Sequence, residues 1–181
     1  MIILGNNAEI GNDINTKIAI GKFDGIHLGH RKLINSMLEK DDGLKSLVFT
    51  FSMASTVSFA TEGHMYSEEE RRAIFEELGI DYLMEFVLDE ETASMSPEDF
   101  VRTVLSNWLH VKKVFCGPDL SFGYKGKGNV DTIRSMYDEL GIEVVVISKE
   151  KYMGEDISST RIRKAIMDGD TDDANIMLGW K

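Results

Sequence analysis

Cysteine, proline and long apolar runs are scarce in this sequence. The 181 residues include one cysteine, Cys116, and two prolines, which excludes a disulfide within the chain and a proline-rich linker. No stretch approaches the roughly 18 consecutive apolar residues that a membrane-spanning helix needs. Residues 1–10 lack the basic start and apolar run of a secretion signal. We therefore expect a cytoplasmic protein with no membrane partner.

Basic side chains are also in short supply. With 20 Lys and Arg against 31 Asp and Glu, the chain carries a formal net charge of -11. A surface of this sign repels polyanions, which argues against a nucleic-acid partner. A small anionic substrate would need a local pocket that concentrates the few cations.

Short β-branched runs alternate with amphipathic stretches along the chain. This alternation predicts the α/β class: a Rossmann-like, doubly wound parallel sheet of five strands with helices on both faces. We expect residues 1–181 to form one domain. The predicted strands are Lys17 to Gly21, Ser46 to Phe51, Tyr82 to Leu88, Val111 to Gly117 and Glu143 to Ser148. The predicted helices are Leu28 to Glu39, Glu68 to Leu78, Pro97 to Leu109, Val130 to Leu140, Thr160 to Met167 and Asp172 to Leu178.

Polar chemistry is concentrated in the loop after the first predicted strand, at the strand end where such sheets bind ligands. The loop and the helix start that follows it contain Gly21, Lys22, Phe23, Asp24, Gly25, His27, Gly29 and His30. Glycines permit close backbone approach, and a helix start with two imidazoles can donate hydrogen bonds to phosphate oxygens. The segment therefore predicts an anion site.

Two other interpretations of these histidines stay open. Histidines three residues apart also occur as a helix cap or on a solvent-facing helix surface. A zinc site is the weaker functional alternative, because His64 and His110 lie in unrelated segments and no third ligand stands out. The preceding strand, the flanking glycines and the following helix favour the phosphate role.

A second candidate phosphate element lies near the C-terminus. The hydroxyl residues at its helix start are Ser158, Ser159 and Thr160, and the cations that follow are Arg161, Arg163 and Lys164. The helix dipole disfavours cations there unless a polyphosphate occupies the helix N-terminus. An N-capped helix with surface cations is the alternative. We expect this element and the histidine loop to be two halves of one triphosphate site.

Together the two segments resemble those of the prokaryotic FAD synthetase family, specifically its FMN adenylyltransferase module within the HxGH nucleotidyltransferases. Similar segments recur along nearly the whole chain, at Val48 to Phe51, Met95 to Phe100, Gly117 to Gly123 and Ala174 to Gly179. The resemblance implies an enzyme that transfers AMP from ATP to FMN, giving FAD and pyrophosphate with the help of Mg²⁺. Its small-molecule partners would be ATP and FMN.

The resemblance also implies roles residue by residue. His27, His30 and Arg163 would be the catalytic phosphate clamps, and Asp119 would lie near the flavin phosphate and the metal. The residues implied to bind ATP are Gly21, Lys22, Phe23, Asp24, Gly25, His27, His30, Gly117, Ser158, Ser159, Thr160 and Arg163. The residues implied to bind the acceptor are Ser52, Asp119, Phe122, Lys125 and Lys127. The implied in-line attack on the α-phosphorus depends on positioning and charge stabilisation, without a covalent intermediate.

The sequence departs from the family in two places. After the second predicted strand the family carries Pro-His-Pro, where this chain has residues 52–56, Ser-Met-Ala-Ser-Thr. Ser52, Ser55 and Thr56 can hydrogen-bond a substrate there, and Met53 and Phe59 can pack on a flat ring; equally, they can be loop and core residues. The riboflavin kinase domain tethered to bifunctional members is absent from this chain, so riboflavin phosphorylation is not expected.

These departures leave two alternatives to FMN adenylylation. One is a related nucleotidyltransferase for another phosphorylated acceptor, such as phosphopantetheine, nicotinamide mononucleotide or a phosphocholine-like compound. The other is a non-catalytic paralogue that binds flavin or nucleotide.

Overall fold

The computed structural model describes residues 1–39, 42–55 and 65–179. Its strands are β1 Ile2–Leu4, β2 Thr16–Ile20, β3 Lys45–Phe51, β4 Tyr82–Phe86, β5 Val111–Cys116, β6 Glu143–Val146, β7 Lys151–Tyr152 and β8 Glu155–Asp156. Its α-helices are α1 Leu28–Leu38, α2 Glu68–Glu77, α3 Glu90–Ala93, α4 Pro97–Asp99, α5 Val130–Ser135, α6 Tyr137–Leu140, α7 Ser159–Asp168 and α8 Thr171–Leu178.

Strands β1 to β6 form one parallel sheet in the order β1-β4-β3-β2-β5-β6. Strand β2 pairs with β3 on one side and with β5 on the other. Because the chain moves from β2 to β3 and later returns to the opposite side of β2, the sheet has its topological switch point there. Residues 21–27 leave the sheet at this point, where open α/β sheets bind ligands.

Helices cover both faces of the sheet. Ile18 and Ile20 of β2 belong to the core cluster on one face, with the helix that follows α4 and with α5. Ala19, between them, belongs to the cluster on the other face, with α1 and α2. This alternation follows from the two-residue period of a strand. The predicted α/β class with helices on both faces is confirmed.

The structure corrects the predicted count of five strands. Strand β1 pairs in parallel with β4 and is a sixth strand at the edge of the sheet. Its three residues are too few to establish a two-residue period, and the side chains of Ile2 and Ile3 are exposed. Hydrophobic patterning therefore could not identify it.

Two predicted helices are not continuous α-helices. After α4 the chain continues as a π-helix over Phe100–Trp108, ended by the Leu109 N–H donating to the carbonyl of Val104 at 3.2 Å, five residues back. The helix predicted over Val130 to Leu140 breaks at Met136 into α5 and α6. Apolar spacing does not reveal either feature, because the buried residues also fit an α-helical period.

A small C-terminal unit packs beside the sheet. Ile157, Ile162, Ala174 and Met177 form its buried centre, with α7 against α8. The hairpin of β7 and β8 is tied to α8 by the Tyr152 hydroxyl, which donates to Asp173 at 2.9 Å. Within residues 1–39, 42–55 and 65–179, no helix is long and apolar enough to cross a membrane.

Candidate active site

The loop between β2 and α1 has an unusual backbone conformation. Phe23 and Ile26 have φ values of 47° and 38°, in a region that bulky residues rarely adopt. Both side chains are completely buried in the core cluster beneath α1, and this burial holds the conformation. The Phe23 ring packs in the core with its centroid 5.0 Å from that of His30, and the ATP contact expected of Phe23 stays a prediction.

Three hydrogen bonds fix the same loop to its surroundings. The Gly21 N–H donates to a main-chain carbonyl of β3 at 3.1 Å. The Thr50 hydroxyl, at the end of β3, donates to the carbonyl of Lys22 at 2.7 Å. The Asp24 carboxylate accepts from the Met65 N–H at 3.2 Å. The predicted phosphate loop is thus held in place from several sides, with the Lys22 side chain exposed.

His27 is the N-cap of α1, and its side chain is held in one orientation. Its Nδ1 accepts from the His30 N–H at 3.4 Å, so the neutral ring carries its proton on Nε2. The rings of His27 and His30 stack, with centroids 3.7 Å apart and an interplanar angle of 14°. Among the described residues the buried Nδ1 of His30 has no hydrogen-bond partner.

Burial holds both histidines neutral at physiological pH. Burial lowers the pKa of His27 to about 4, opposed by a backbone hydrogen bond. Burial also lowers the pKa of His30 well below its ordinary value, and the neighbouring His27 lowers it further. The charged form is disfavoured because the rings are removed from water. A negative charge bound beside the rings would raise both pKa values, because it favours the charged form.

Two glycines make room for this arrangement. A Cβ at Gly29 would lie 3.2 Å from Cε1 and 3.3 Å from Nδ1 of the His27 ring, so the ring packs directly over the Gly29 backbone. A Cβ at Gly25 would lie 2.5 Å from Cε of Met65 and 3.5 Å from Leu178 of α8. The absence of a Cβ at Gly25 thus leaves room for the Met65 side chain, which packs against the C-terminal unit.

The start of α7 lies against the same loop. Ser158 is the N-cap of α7, and its hydroxyl accepts from the Arg161 N–H at 3.2 Å. Arg163, in the second turn, forms an ion pair with Asp24. The structure therefore brings together the two phosphate elements that the sequence predicted separately, with Ser159 and Thr160 in the first turn of α7. Arg161 instead holds the β7–β8 hairpin by donating to the carbonyls of Tyr152 and Glu155.

The helix starts at this place differ in charge from the other α-helices. Within the described part of the chain, α1 and α7 are the α-helices without an acidic residue in the first turn. The first turns of α2, α3, α4, α5, α6 and α8 all contain Asp or Glu. An acidic first turn stabilises a helix but would repel a bound anion. The exceptions in this acidic chain thus lie at the predicted phosphate site.

Asp119 lies on the other side of the switch point, after β5. It is exposed, and its carboxylate pairs with Lys149 at 2.9 Å. A Cβ at Gly117 would lie 2.8 Å from the Asp119 Oδ1, so this glycine permits the close turn. Across the described ranges, no three His, Cys, Asp or Glu residues are grouped as a metal site would require. Asp119 therefore belongs to no such group among these residues.

The basic segment after Asp119 forms a closed turn. Phe122 and Gly128 exchange main-chain hydrogen bonds at 3.1 and 2.9 Å. The Phe122 ring is buried and packs on Phe100, with centroids 5.3 Å apart, and its contact with the acceptor stays a prediction. Lys125 and Lys127 are exposed, and the Lys125 ammonium lies 5.1 Å from the centroid of the Tyr124 ring.

The segment after β3 is anchored by α2. Glu68 accepts from the Ser52 hydroxyl at 3.0 Å and from the Met53 N–H at 2.6 Å. Burial raises the pKa of Glu68, but these hydrogen bonds and the neighbouring Arg72 outweigh burial and lower it. Ser52, expected at the acceptor, thus has a structural partner. Thr56, Phe59 and His64 lie outside the described residues.

A family model described as FAD synthetase matches residues 9–161. The chain belongs to the FAD synthetase family. A Listeria monocytogenes relative named bifunctional riboflavin kinase/FMN adenylyltransferase is 32% identical over 174 residues, covering 93% of this chain and 55% of the relative. The chain therefore spans about half the length of that relative.

Solved structures support the same fold. A Streptococcus pneumoniae structure described as a macrolide-efflux protein matches with a TM-score of 0.85 and 26% identity, over 99% of this chain and 60% of that one. Pantoate-beta-alanine ligase from Francisella tularensis matches with a TM-score of 0.59 and 15% identity, over 99% of this chain and 78% of that one. At 15% identity the second match concerns the fold alone.

The buried Arg71 of this FAD synthetase family member was not predicted from the sequence. Arg71 of α2 is only 2% exposed, and its guanidinium donates to the Thr50 hydroxyl and to the Phe51 carbonyl. Its position four residues before the buried Phe75 was the available signal, because it places a cation on the apolar stripe of α2.

Proposed function

We propose that this protein transfers the adenylyl group of ATP to the phosphate of FMN, producing FAD and pyrophosphate. Membership in the FAD synthetase family supports this activity. The structural observation that supports this activity most directly is the ion pair between Asp24 and Arg163. It connects the loop before α1 with α7, the two helices whose first turns contain no acidic residue. A cytoplasmic location and a single domain over residues 1–181 remain predictions.

The proposed reaction needs no nucleophile from the protein. A phosphate oxygen of FMN attacks the α-phosphorus of ATP, and the bond from that phosphorus to the oxygen bridging to the β-phosphorus breaks. Pyrophosphate takes the bonding electrons as it leaves. Catalysis then consists of aligning the two phosphates and stabilising the charge that develops on them.

The ATP phosphates are proposed to lie between the starts of α1 and α7. The first two amides of each helix have no intrahelical acceptor and would donate to phosphate oxygens. The third amide of each helix already donates to its N-cap side chain. The Nε2–H of His27 and the ring of His30 would donate from α1, and Ser159, Thr160 and Arg163 from α7. Arg163 would exchange its contact with Asp24 for a phosphate oxygen, which carries a comparable negative charge.

Mg²⁺ is proposed to enter with ATP. The described residues offer no grouped ligands for a resident ion, but Mg²⁺ commonly uses one carboxylate, several waters and the substrate phosphates. Asp119 would be that carboxylate, and the ion would offset charge on the polyphosphate. Asp119 pairs with Lys149 in the structure, so the Lys149 ammonium would move aside or bind the phosphate as well.

The acceptor is proposed to occupy the side of the crevice formed by the segments after β3 and β5. Ser52 and Met53, held by Glu68, line the first segment, and Lys125 and Lys127 lie on the second. The altered Pro-His-Pro segment keeps a second candidate open: the same transfer to another phosphorylated acceptor, such as phosphopantetheine or nicotinamide mononucleotide.

Product analysis tests the proposal. The protein is incubated with ATP, Mg²⁺ and, in separate reactions, FMN, riboflavin, phosphopantetheine or nicotinamide mononucleotide, and the products are separated by chromatography. FAD formation with FMN alone supports the proposal. An adenylylated product with another acceptor alone moves the assignment to that acceptor, and no product with any of the four overturns it.

A further inference from the structure

We propose that Thr50 and Arg71 form a relay that positions the phosphate loop, residues 21–27, for ATP. Neither residue reaches the crevice as a ligand, since Thr50 and Arg71 are only 1% and 2% exposed. They would act through the Lys22 peptide and are therefore positioning residues. The inference rests on the proposed function, because it assigns these residues to the binding of ATP.

The hydrogen-bond direction along the relay is determined by chemistry. The Thr50 hydroxyl has one proton, and it donates this proton to the Lys22 carbonyl at 2.7 Å. Its oxygen must then accept, and the Arg71 Nη1 donates to it at 3.3 Å. Arginine carries only donors, so it fixes the hydroxyl in the orientation that the Lys22 carbonyl requires.

The relay contacts the loop next to residues whose backbone conformation is unfavourable. The Lys22 carbonyl belongs to the peptide that leads into Phe23, which has a φ of 47°, and Ile26 follows with a φ of 38°. A backbone in this region relaxes unless its surroundings hold it. Anchoring the Lys22 peptide therefore sets the direction in which the next peptides, up to the N-cap His27, leave the sheet.

Arg71 also links this loop to the acceptor side. Its Nη1 and Nη2 donate to the Phe51 carbonyl at 3.4 and 3.3 Å, at the start of the segment that Glu68 of the same helix holds. Burial lowers the pKa of Arg71, and the carboxylates of Glu68, Glu85 and Asp24 oppose that change. A buried cation costs more stability than an apolar residue of similar size. Its presence here is explained by its hydrogen bonds to the end of β3, where Thr50 contacts the phosphate loop and Phe51 leads into the segment that Glu68 holds.

Thr50→Val tests the relay, and Thr16→Val is its matched control. Valine has the shape of threonine without the hydroxyl. Thr16 is also completely buried, and its hydroxyl donates to the Leu109 carbonyl at 2.6 Å, at the opposite end of the sheet. ATP affinity is measured by titration calorimetry and unfolding by urea, for the unsubstituted protein, both valine variants and Thr50→Ser, which keeps the hydroxyl.

The relay predicts that Thr50→Val raises the Kd for ATP about tenfold, while Thr16→Val and Thr50→Ser stay within about twofold of the unsubstituted protein. Both valine variants should unfold at lower urea concentration. If Thr50→Val loses stability but binds ATP as Thr16→Val does, Thr50 is only structural and the relay is overturned. If the unsubstituted protein does not bind ATP, the proposed function fails and the inference fails with it.

Discussion

Asp24 and Arg163 are separated by 139 positions in the sequence, yet they form an ion pair between the loop after β2 and the helix α7. Asp24 also accepts from the Met65 N–H. Both side chains of the pair are largely buried. This contact joins the C-terminal unit to the sheet and keeps the Arg163 guanidinium at the loop that leads to His27.

Replacing Asp24 by asparagine should destabilise the protein by about 2 kcal/mol, because it leaves the Arg163 charge in a largely buried place without its carboxylate. Asparagine keeps an oxygen for the Met65 N–H, so the change isolates the charge. Urea unfolding at neutral pH measures the effect. Asp131→Asn, which breaks an exposed pair with Arg134, should change the unfolding free energy by less than about 0.5 kcal/mol. Equal effects would contradict a stabilising role for the Asp24 pair.

The neutral state of His27 makes stability depend on pH. Its pKa is about 4 in the folded protein, below the ordinary 6.5, so the unfolded chain binds a proton first as the pH falls. His27 should therefore remove roughly 2 kcal/mol of unfolding free energy between pH 8 and pH 5. The loss begins as the pH falls below about 6.5 and is complete near the folded pKa of about 4.

Urea unfolding of His27→Asn over the same pH range isolates this contribution. Asparagine is a good N-cap whose side-chain oxygen can accept from the His30 N–H, and it does not titrate. The variant should lose less stability than the unsubstituted protein on going to pH 5. Parallel curves for the two proteins would mean that His27 is not held neutral by burial.

Gly29→Ala should separate phosphate binding from stability. Its Cβ would lie 3.2 Å from the His27 ring, so the ring must shift by a few tenths of an ångström. Alanine favours a helix over glycine by about 1 kcal/mol, which offsets the crowding in the folded state. We expect ATP affinity to fall at least fivefold while the unfolding free energy changes by less than about 1 kcal/mol. Unchanged ATP affinity would show that the ring position does not matter for binding.

Glu68→Ala should raise the KM for FMN more than the KM for ATP. Its carboxylate holds Ser52 and Met53 after β3, so its removal frees the segment proposed to contact FMN. Steady-state kinetics should give a KM for FMN raised several-fold and a KM for ATP changed less than twofold. The control is Glu69→Ala, since Glu69 lies in the same first turn but is exposed. A rise in the KM for ATP alone would contradict this assignment of the segment.

Much of the fold was predictable because its signals are local. Five strands and the α/β class follow from β-branched runs and helix caps, such as the capping box of Ser67 and Glu70. Strand β1 was missed because three residues carry no period. The π-helix after α4 and the break at Met136 were missed because they shift hydrogen bonds without changing which side chains are buried.

The site was predictable where its motifs are contiguous in sequence. The segments around His27 and Ser158 were identified separately, and the ion pair of Asp24 with Arg163 brings them together. Their roles toward ATP remain predictions. Long-range partners were not predictable: nothing near Arg71 in the sequence indicates Thr50 or Phe51, and nothing near Phe122 indicates the ring of Phe100. Such contacts depend on how the strands are ordered in the sheet.

The measurement that tests the central claim most directly is the transfer of radioactive phosphorus from ATP to FMN, with His30→Ala in parallel. The claim predicts that label from the α-phosphate appears in FAD, and that label from the γ-phosphate appears in pyrophosphate. It also predicts that His30→Ala lowers the rate at least a hundredfold, about 3 kcal/mol of transition-state stabilisation. Label from the γ-phosphate in the flavin, or an undiminished rate in His30→Ala, would contradict adenylyl transfer at this site.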